Sequence, residues 1–228
     1  MTAGPGQLIL DLAHRPALGA EDFLISRSNQ AAADIVDRWP DWPNHALVVV
    51  APAGSGKTHL ANVWRLKSGA AALEARSLSE ADVAHAKGAL VVEDLHAGVG
   101  DERVLFHLLN LVREHKLSML LTSRAAPGEL GVALPDLRSR LRALPLVAIA
   151  PPDEALLKAV LVKHFADRQL AVEPHVIAHI ALYMEQSMEA AAAIVADIDR
   201  AAMTSHRKVT RALAAEVLAR RPQDAASG

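Results

Sequence analysis

Residues 46–58 read ALVVVAPAGSGKT: a short apolar run breaks into a glycine-containing loop that closes on Gly56-Lys57-Thr58. A helical pattern, HLANVWRL, follows at once. Strand, loop and helix in this order are what a phosphate-binding loop requires. Gly54 and Gly56 let the backbone turn so that its N–H groups converge on phosphate oxygens. Lys57 reaches the outer phosphates, and the Thr58 hydroxyl holds Mg²⁺. The helix beginning there presents the positive end of its dipole to the anion. The full pattern asks for glycine where Ala51 stands, and the flanking strand and helix supply the missing context. The candidate cradle is Ala53, Gly54, Ser55, Gly56, Lys57, Thr58 and His59.

A second apolar run, Ala89 to Val92, ends in Glu93 and Asp94. A buried strand with an acidic end is the other half of such a site, where carboxylates meet Mg²⁺ and the attacking water. If the strand continues, alternation puts Glu93 and Asp94 on opposite faces, so one of them faces the metal. A third strand, Ser118 to Ser123, ends in Thr122 and Ser123. These two hydroxyls stand either at the height of a γ-phosphate sensor or in ordinary turn chemistry before Pro127. Between the two strands, Asp101 to His115 is an amphipathic helix with Val104, Leu105, Leu108, Leu109 and Val112 on its core face.

Upstream, Phe23, Leu24 and Ile25 either line the base side of a nucleotide pocket or belong to the core. Ser28 is the expected cap of a helix through Asn29 to Trp39, with Ala32, Ile35, Val36 and Trp39 on one face. Pro40 and Pro43 end it. Leu73 to Lys87 holds one helix with Ser79 near its start. Pro135 to Leu141 opens a short helix carrying Arg138, Arg140 and Arg142, and a strand from Leu144 to Ile149 leads to Pro151-Pro152.

Beyond that proline pair the β-rich runs stop. Four helical patterns follow, Asp153 to Arg168, Pro174 to Gln186, Met188 to His206 and Thr210 to Arg220, with Asp153 and Ser187 as caps. The expected layout is a tail at 1–22, an α/β nucleotide-binding domain at 23–150, a helical domain at 151–221 and a loose tail at 222–228. His175 and His179 have metal-ligand spacing, but Val176 stands where a zinc protease motif needs glutamate, and a solvated helix face is the expected reading. Lys and Arg number 24 against 26 Asp and Glu, so the basic excess of an autonomous duplex-DNA binder is missing. The chain has no cysteine, hence no disulfide and no Cys-based zinc site. No signal peptide or membrane span is visible, and a cytoplasmic location is expected. Gln7 to Leu12 (QLILDL) is either a strand or plug on the protein's own core or a short linear motif for a partner's apolar pocket.

Phosphate loop, acidic strand end, polar strand end, arginine on a short helix and helical lid together resemble an AAA+ ATPase, from about Phe23 to Leu218. The runs GKTHL, LLLTSRAAPGEL, DLRSRL and VAIAPPDEALLKAVL are similar, in the same order, to stretches of the DnaA branch. Within that branch the chain looks like the regulatory Hda type rather than the replication initiator. It stops after the lid, without room for the initiator's helix-turn-helix domain. The segment from Leu73 to Ala89 is too short for the element with which the initiator grips single-stranded DNA. Gln7 to Leu12 is similar to the sliding-clamp-binding motif of Hda proteins. HRPALGAEDFLI and DRWPDWP look like the α-proteobacterial form.

The resemblance implies a bound ADP or ATP with Mg, and two protein partners. One is the sliding clamp, engaged through Gln7, Leu8, Leu10 and Leu12, with DNA met only through the clamp. The other is DnaA, whose ATP is hydrolysed when an arginine is offered in trans. The family's arginine finger follows a serine on the short helix, which here is Arg140; Arg138 and Arg142 are then contact or structural arginines. A homodimer is compatible with this reading. Three positions depart from the branch: Glu189 stands in place of the lid arginine that senses nucleotide, Glu93 in place of aspartate, and Arg124 where an aspartate usually continues the Thr-Ser run. All three point to a nucleotide that sets a structural state rather than being turned over. The alternatives are an AAA+ ATPase in its own right, as in helicase loaders, and a clamp adaptor with an inert nucleotide fold.

Overall fold

Five parallel strands form the sheet: β1 (Ala46–Val50), β2 (Ala71–Glu74), β3 (Ala89–Glu93), β4 (Ser118–Ser123) and β5 (Leu146–Ala148), in the order β2-β3-β4-β1-β5. The structure, a computed structural model, describes residues 23–224, with side chains described to residue 220. The clamp motif expected at Gln7, Leu8, Leu10 and Leu12 lies outside the described residues.

The three central strands, β3, β4 and β1, are buried and read as nearly unbroken apolar runs, as parallel strands covered on both faces must. Parallel register between β1 and β4 sets Val49 against Thr122 and Val50 against Ser123. One face of the sheet packs on α1 (Gln30–Asp37) and α2 (Lys57–Ser68), with Leu47, Val49, Val91 and Leu120 facing Ala32, Val36, Leu60 and Trp64. Trp64 is fully buried; the Trp42 ring stacks on it at 5.0 Å and the Trp39 ring meets it edge-on at 6.1 Å. The other face packs on α4 (Glu102–Glu114) and α5 (Pro135–Arg142) through Val104, Leu105, Leu108, Leu137 and Leu141. The core face expected of α4 is the buried one, and the Asp101 carboxylate caps the helix by accepting from the N–H groups of Arg103 and Val104. A short α3 (Glu80–His85) starts with a reciprocal Ser79–Asp82 capping box.

Three local expectations are corrected. Ser28 does not cap α1: its hydroxyl hydrogen-bonds the Ser26 hydroxyl at 2.7 Å. Asn29 takes the cap position and ties the incoming chain instead, accepting from the Ser26 N–H and donating to the Leu24 carbonyl. The last strand covers only Leu146–Ala148 of the six residues expected. A strand not anticipated, β2, forms at Ala71–Glu74; as an exposed edge it needs no apolar run to announce it.

The chain divides after Pro151 into two compact units. The second is helical: α6 (Glu154–Asp167), α7 (Pro174–Tyr183), α8 (Met188–Ser205) and α9 (Arg211–Asp224). Its own core joins Leu157, Leu161, Phe165, Ile177, Ile180, Ile194 and Ile198. Asp153 and Ser187 cap their helices by accepting from the N–H groups of Leu156 and Ala190. An α/β sheet domain followed by a helical part is the architecture the motif order calls for.

Candidate functional site

The loop after β1 turns through two left-handed glycines, Gly54 at φ +67° and Gly56 at φ +87°, and α2 begins at Lys57 with Gly56 as its cap residue. Positive φ is the reason both positions are glycine. Ala51 needs no such freedom: it is fully buried in the core and its N–H donates to the Ser123 carbonyl at 3.0 Å. The departure from the full loop pattern is thereby explained by packing.

Lys57 is 8% exposed, and its ammonium donates to Asp94 Oδ1 at 2.9 Å. Asp94 does not continue β3. It turns into the left-handed region at φ +59°, so simple alternation with Glu93 fails, and Asp94 rather than Glu93 meets the lysine. Its N–H donates to the Thr122 hydroxyl at 3.0 Å, which fixes the turn. Thr122 and Ser123 are both fully buried; the Ser123 hydroxyl accepts from the Ala125 N–H, so this hydroxyl pair shapes the strand ends. Burial pushes the Asp94 carboxyl up, but the Lys57 hydrogen bond and charge, with His96 and Arg124, outweigh it and hold it below its ordinary value. Burial holds the His96 imidazole below its ordinary value against the pull of Asp94, 3.8 Å away.

A cavity of about 380 Å³ beside the loop is lined by Thr58, Glu93, Asp94, Glu74 and Arg76. Ser55 is 3% exposed, yet its hydroxyl has no hydrogen-bond partner. An orphaned buried hydroxyl in a loop turned by two left-handed glycines fits an anion-binding cradle. Thr58 and the strand-end carboxylates are hard oxygen donors of the kind Mg²⁺ takes. Thr58 and His59 are exposed, and the Phe23 ring stacks on His59 at 5.4 Å. Phe23 and Ile25 are buried in the core cluster of the sheet, and Leu24 is half-buried.

A second cavity, about 370 Å³, opens where α4 meets α5 and is lined by Phe106, Arg113, Asp136, Ser139, Arg140 and Leu144, among others. Arg140 donates to Asn110 Oδ1 and lies over the Phe106 ring, 4.9 Å from its centroid. Arg138 and Arg142 donate to the carbonyls of Ala133 and Gly128, which staples the loop before α5. The same loop is held by Glu102, whose two carboxylate oxygens accept from the N–H groups of Ala133 at 2.8 Å and Leu134 at 2.6 Å. Glu102→Ala is expected to cost about 1–2 kcal/mol in urea unfolding, with Glu102→Gln losing less because one acceptor remains. Sequence reasoning passed over Glu102, Phe106, Asn110 and His96; an asparagine in mid-helix beside a core face was the one available signal.

The fold is that of AAA+ ATPases, an α/β sheet domain with a helical C-terminal part. Among solved structures the chain is similar to domain III of the Thermotoga maritima replication initiation protein DnaA, at a TM-score of 0.72 and 18% identity, over 87% of this chain and 94% of that one. It is also similar to AMPPCP-bound DnaA from Aquifex aeolicus (TM-score 0.64, 20% identity, 82% of this chain and 66% of that one). The Thermotoga maritima RuvB Holliday junction branch migration motor gives a TM-score of 0.61 at 15% identity, over 76% of this chain and 60% of that one. No protein-family model matches the chain, and a search of curated proteins gives no significant match.

Proposed function

We propose that this protein binds an adenine nucleotide in its own phosphate loop and regulates replication initiation in the manner of the Hda type. Docked on the sliding clamp through Gln7 to Leu12, it offers Arg140 to the ATP of a neighbouring DnaA and drives hydrolysis there. The observation that supports this most is the state of Arg140: a half-buried guanidinium at an open cavity, resting on an amide and an aromatic ring rather than on a carboxylate. A positive charge placed at a neighbour's γ-phosphate stabilises charge that develops in the transition state. Adenine nucleotide as the ligand is supported by the AMPPCP carried by the Aquifex DnaA structure, and phosphate in the loop by the orphaned Ser55 hydroxyl. Mg²⁺ would be held by Thr58 with Glu93 or Asp94. DNA is met through the clamp, consistent with the balanced charge of the chain, and the location is cytoplasmic; a homodimer is compatible with the reading.

The test is single-turnover hydrolysis of ATP preloaded on DnaA, with clamp-loaded DNA. Added protein is expected to shorten the lifetime of DnaA-bound ATP, and removal of residues 1–12 to abolish that effect together with clamp pull-down. ATP that persists equally long with and without the protein refutes the reading.

A further inference from the structure

Arg140 is held by one helical turn of α4. Phe106 and Asn110 are four residues apart, so their side chains share a face, and Arg140 contacts both. Both partners are neutral. A guanidinium fixed by a carboxylate is positioned but has its charge cancelled. One fixed by an amide oxygen and a ring face is positioned with its charge intact. Among the described residues, the one acidic side chain on this cavity is Asp136, one turn before Arg140 on the same helix, yet Asn110 takes the guanidinium hydrogen bond. Arg138 and Arg142, on the same helix, are committed to backbone carbonyls.

We propose that Phe106 and Asn110 are positioning residues, which hold the Arg140 guanidinium ready at the cavity mouth with its charge available to a polyphosphate presented by a second protein. The proposal rests on the reading of Arg140 as a trans-acting arginine. A long flexible side chain must otherwise be ordered at the moment of encounter, and a misplacement of about 1 Å at a reacting centre can cost on the order of 100-fold in rate.

Asn110→Asp changes one NH₂ to an oxygen and nothing in size, and it offers Arg140 a private ion pair. Its effect is expected on the maximal rate of DnaA-bound ATP hydrolysis, about 10–100-fold lower, with the half-saturating protein concentration and melting temperature unchanged. Phe106→Leu keeps an apolar side chain without the ring face and is expected to lower the maximal rate several-fold; Phe106→Tyr is expected to restore it. Arg140→Ala is run beside them. If Arg140→Ala abolishes stimulation but Asn110→Asp and Phe106→Leu match the parent, the positioning role is wrong and the arginine reading stands. The positioning role is equally wrong if these variants shift only the half-saturating concentration, because the cradle is then a docking contact. If Arg140→Ala itself matches the parent, the reading of the site falls and the positioning role with it.

Discussion

Arg140→Ala is expected to slow the protein-stimulated hydrolysis of DnaA-bound ATP by about 10³-fold or more, the scale on which a trans-acting arginine works in other nucleotide hydrolases. The size follows from the environment. At a closed interface with water excluded, a guanidinium facing a transferring phosphoryl group acts in low dielectric, where its interaction far exceeds its value in bulk water. The fold should survive with a measurable but modest loss. Arg140 is half-buried at a cavity edge, and its loss removes one hydrogen bond and one ring contact, together about 1–2 kcal/mol. Clamp pull-down, proposed to depend on Gln7 to Leu12, should match the parent. Arg140→Lys keeps the charge but loses the planar fork and the stacking surface, so it should recover little of the rate. A rate within a few-fold of the parent for Arg140→Ala would contradict the assignment outright. Melting by circular dichroism then separates a lost finger from a lost fold.

What was legible in the chain beforehand was whatever is written in contiguous residues. The phosphate loop is one run, and Gly54 and Gly56 announce their positive φ by being glycine. Strand β4 spans the expected Ser118 to Ser123, its apolar centre Met119 to Leu121 flanked by buried hydroxyl residues because both faces are covered. The buried stripe of α4 repeats with helical period and was readable for the same reason. The features that escaped depend on partners far away in sequence. Edge strand β2 is held by pairing with β3, not by burial of AALE. Asp94 leaves the strand because its N–H finds Thr122, 28 residues on, and its carboxylate finds Lys57, 37 residues back. Arg140 stood out as a charged residue on a short helix, but Asn110, 30 residues earlier, carries no mark of the hydrogen bond it accepts. Periodicity reports which face is buried; it is silent on which polar group a given side chain meets.

Lys57→Ala is expected to weaken nucleotide binding by about 10–100-fold, the equivalent of one charge-assisted hydrogen bond to phosphate in a partly buried site. Equilibrium titration with a fluorescent ADP analogue measures it, and unchanged affinity would remove Lys57 from the phosphate site. The neutral-pH stability cost should be small, because the abandoned Asp94 side chain is 50% exposed and water takes over its charge. Acid changes the picture in a defined direction. In the parent, Lys57 helps to hold the Asp94 carboxyl below 3.8. A depressed carboxyl stabilises the fold above its unfolded pKa, and that contribution is lost as pH falls through the lower folded value. Without the lysine the folded value rises toward the unfolded one or, with burial uncompensated, above it. The urea midpoint of Lys57→Ala should therefore lie slightly below the parent's near neutrality, and that gap should close as pH falls below 3.8, because only the parent has the Asp94 contribution to lose. The same variant addresses catalysis by the isolated protein. On the resemblance to the DnaA branch, Glu189 and Arg124 depart from the residues implied for an efficient hydrolase, so steady-state ATP turnover by the parent is expected near background and Lys57→Ala has little to remove. Brisk parental turnover abolished by Lys57→Ala would instead make the chain an ATPase acting on its own nucleotide, with Arg140 serving copies of itself.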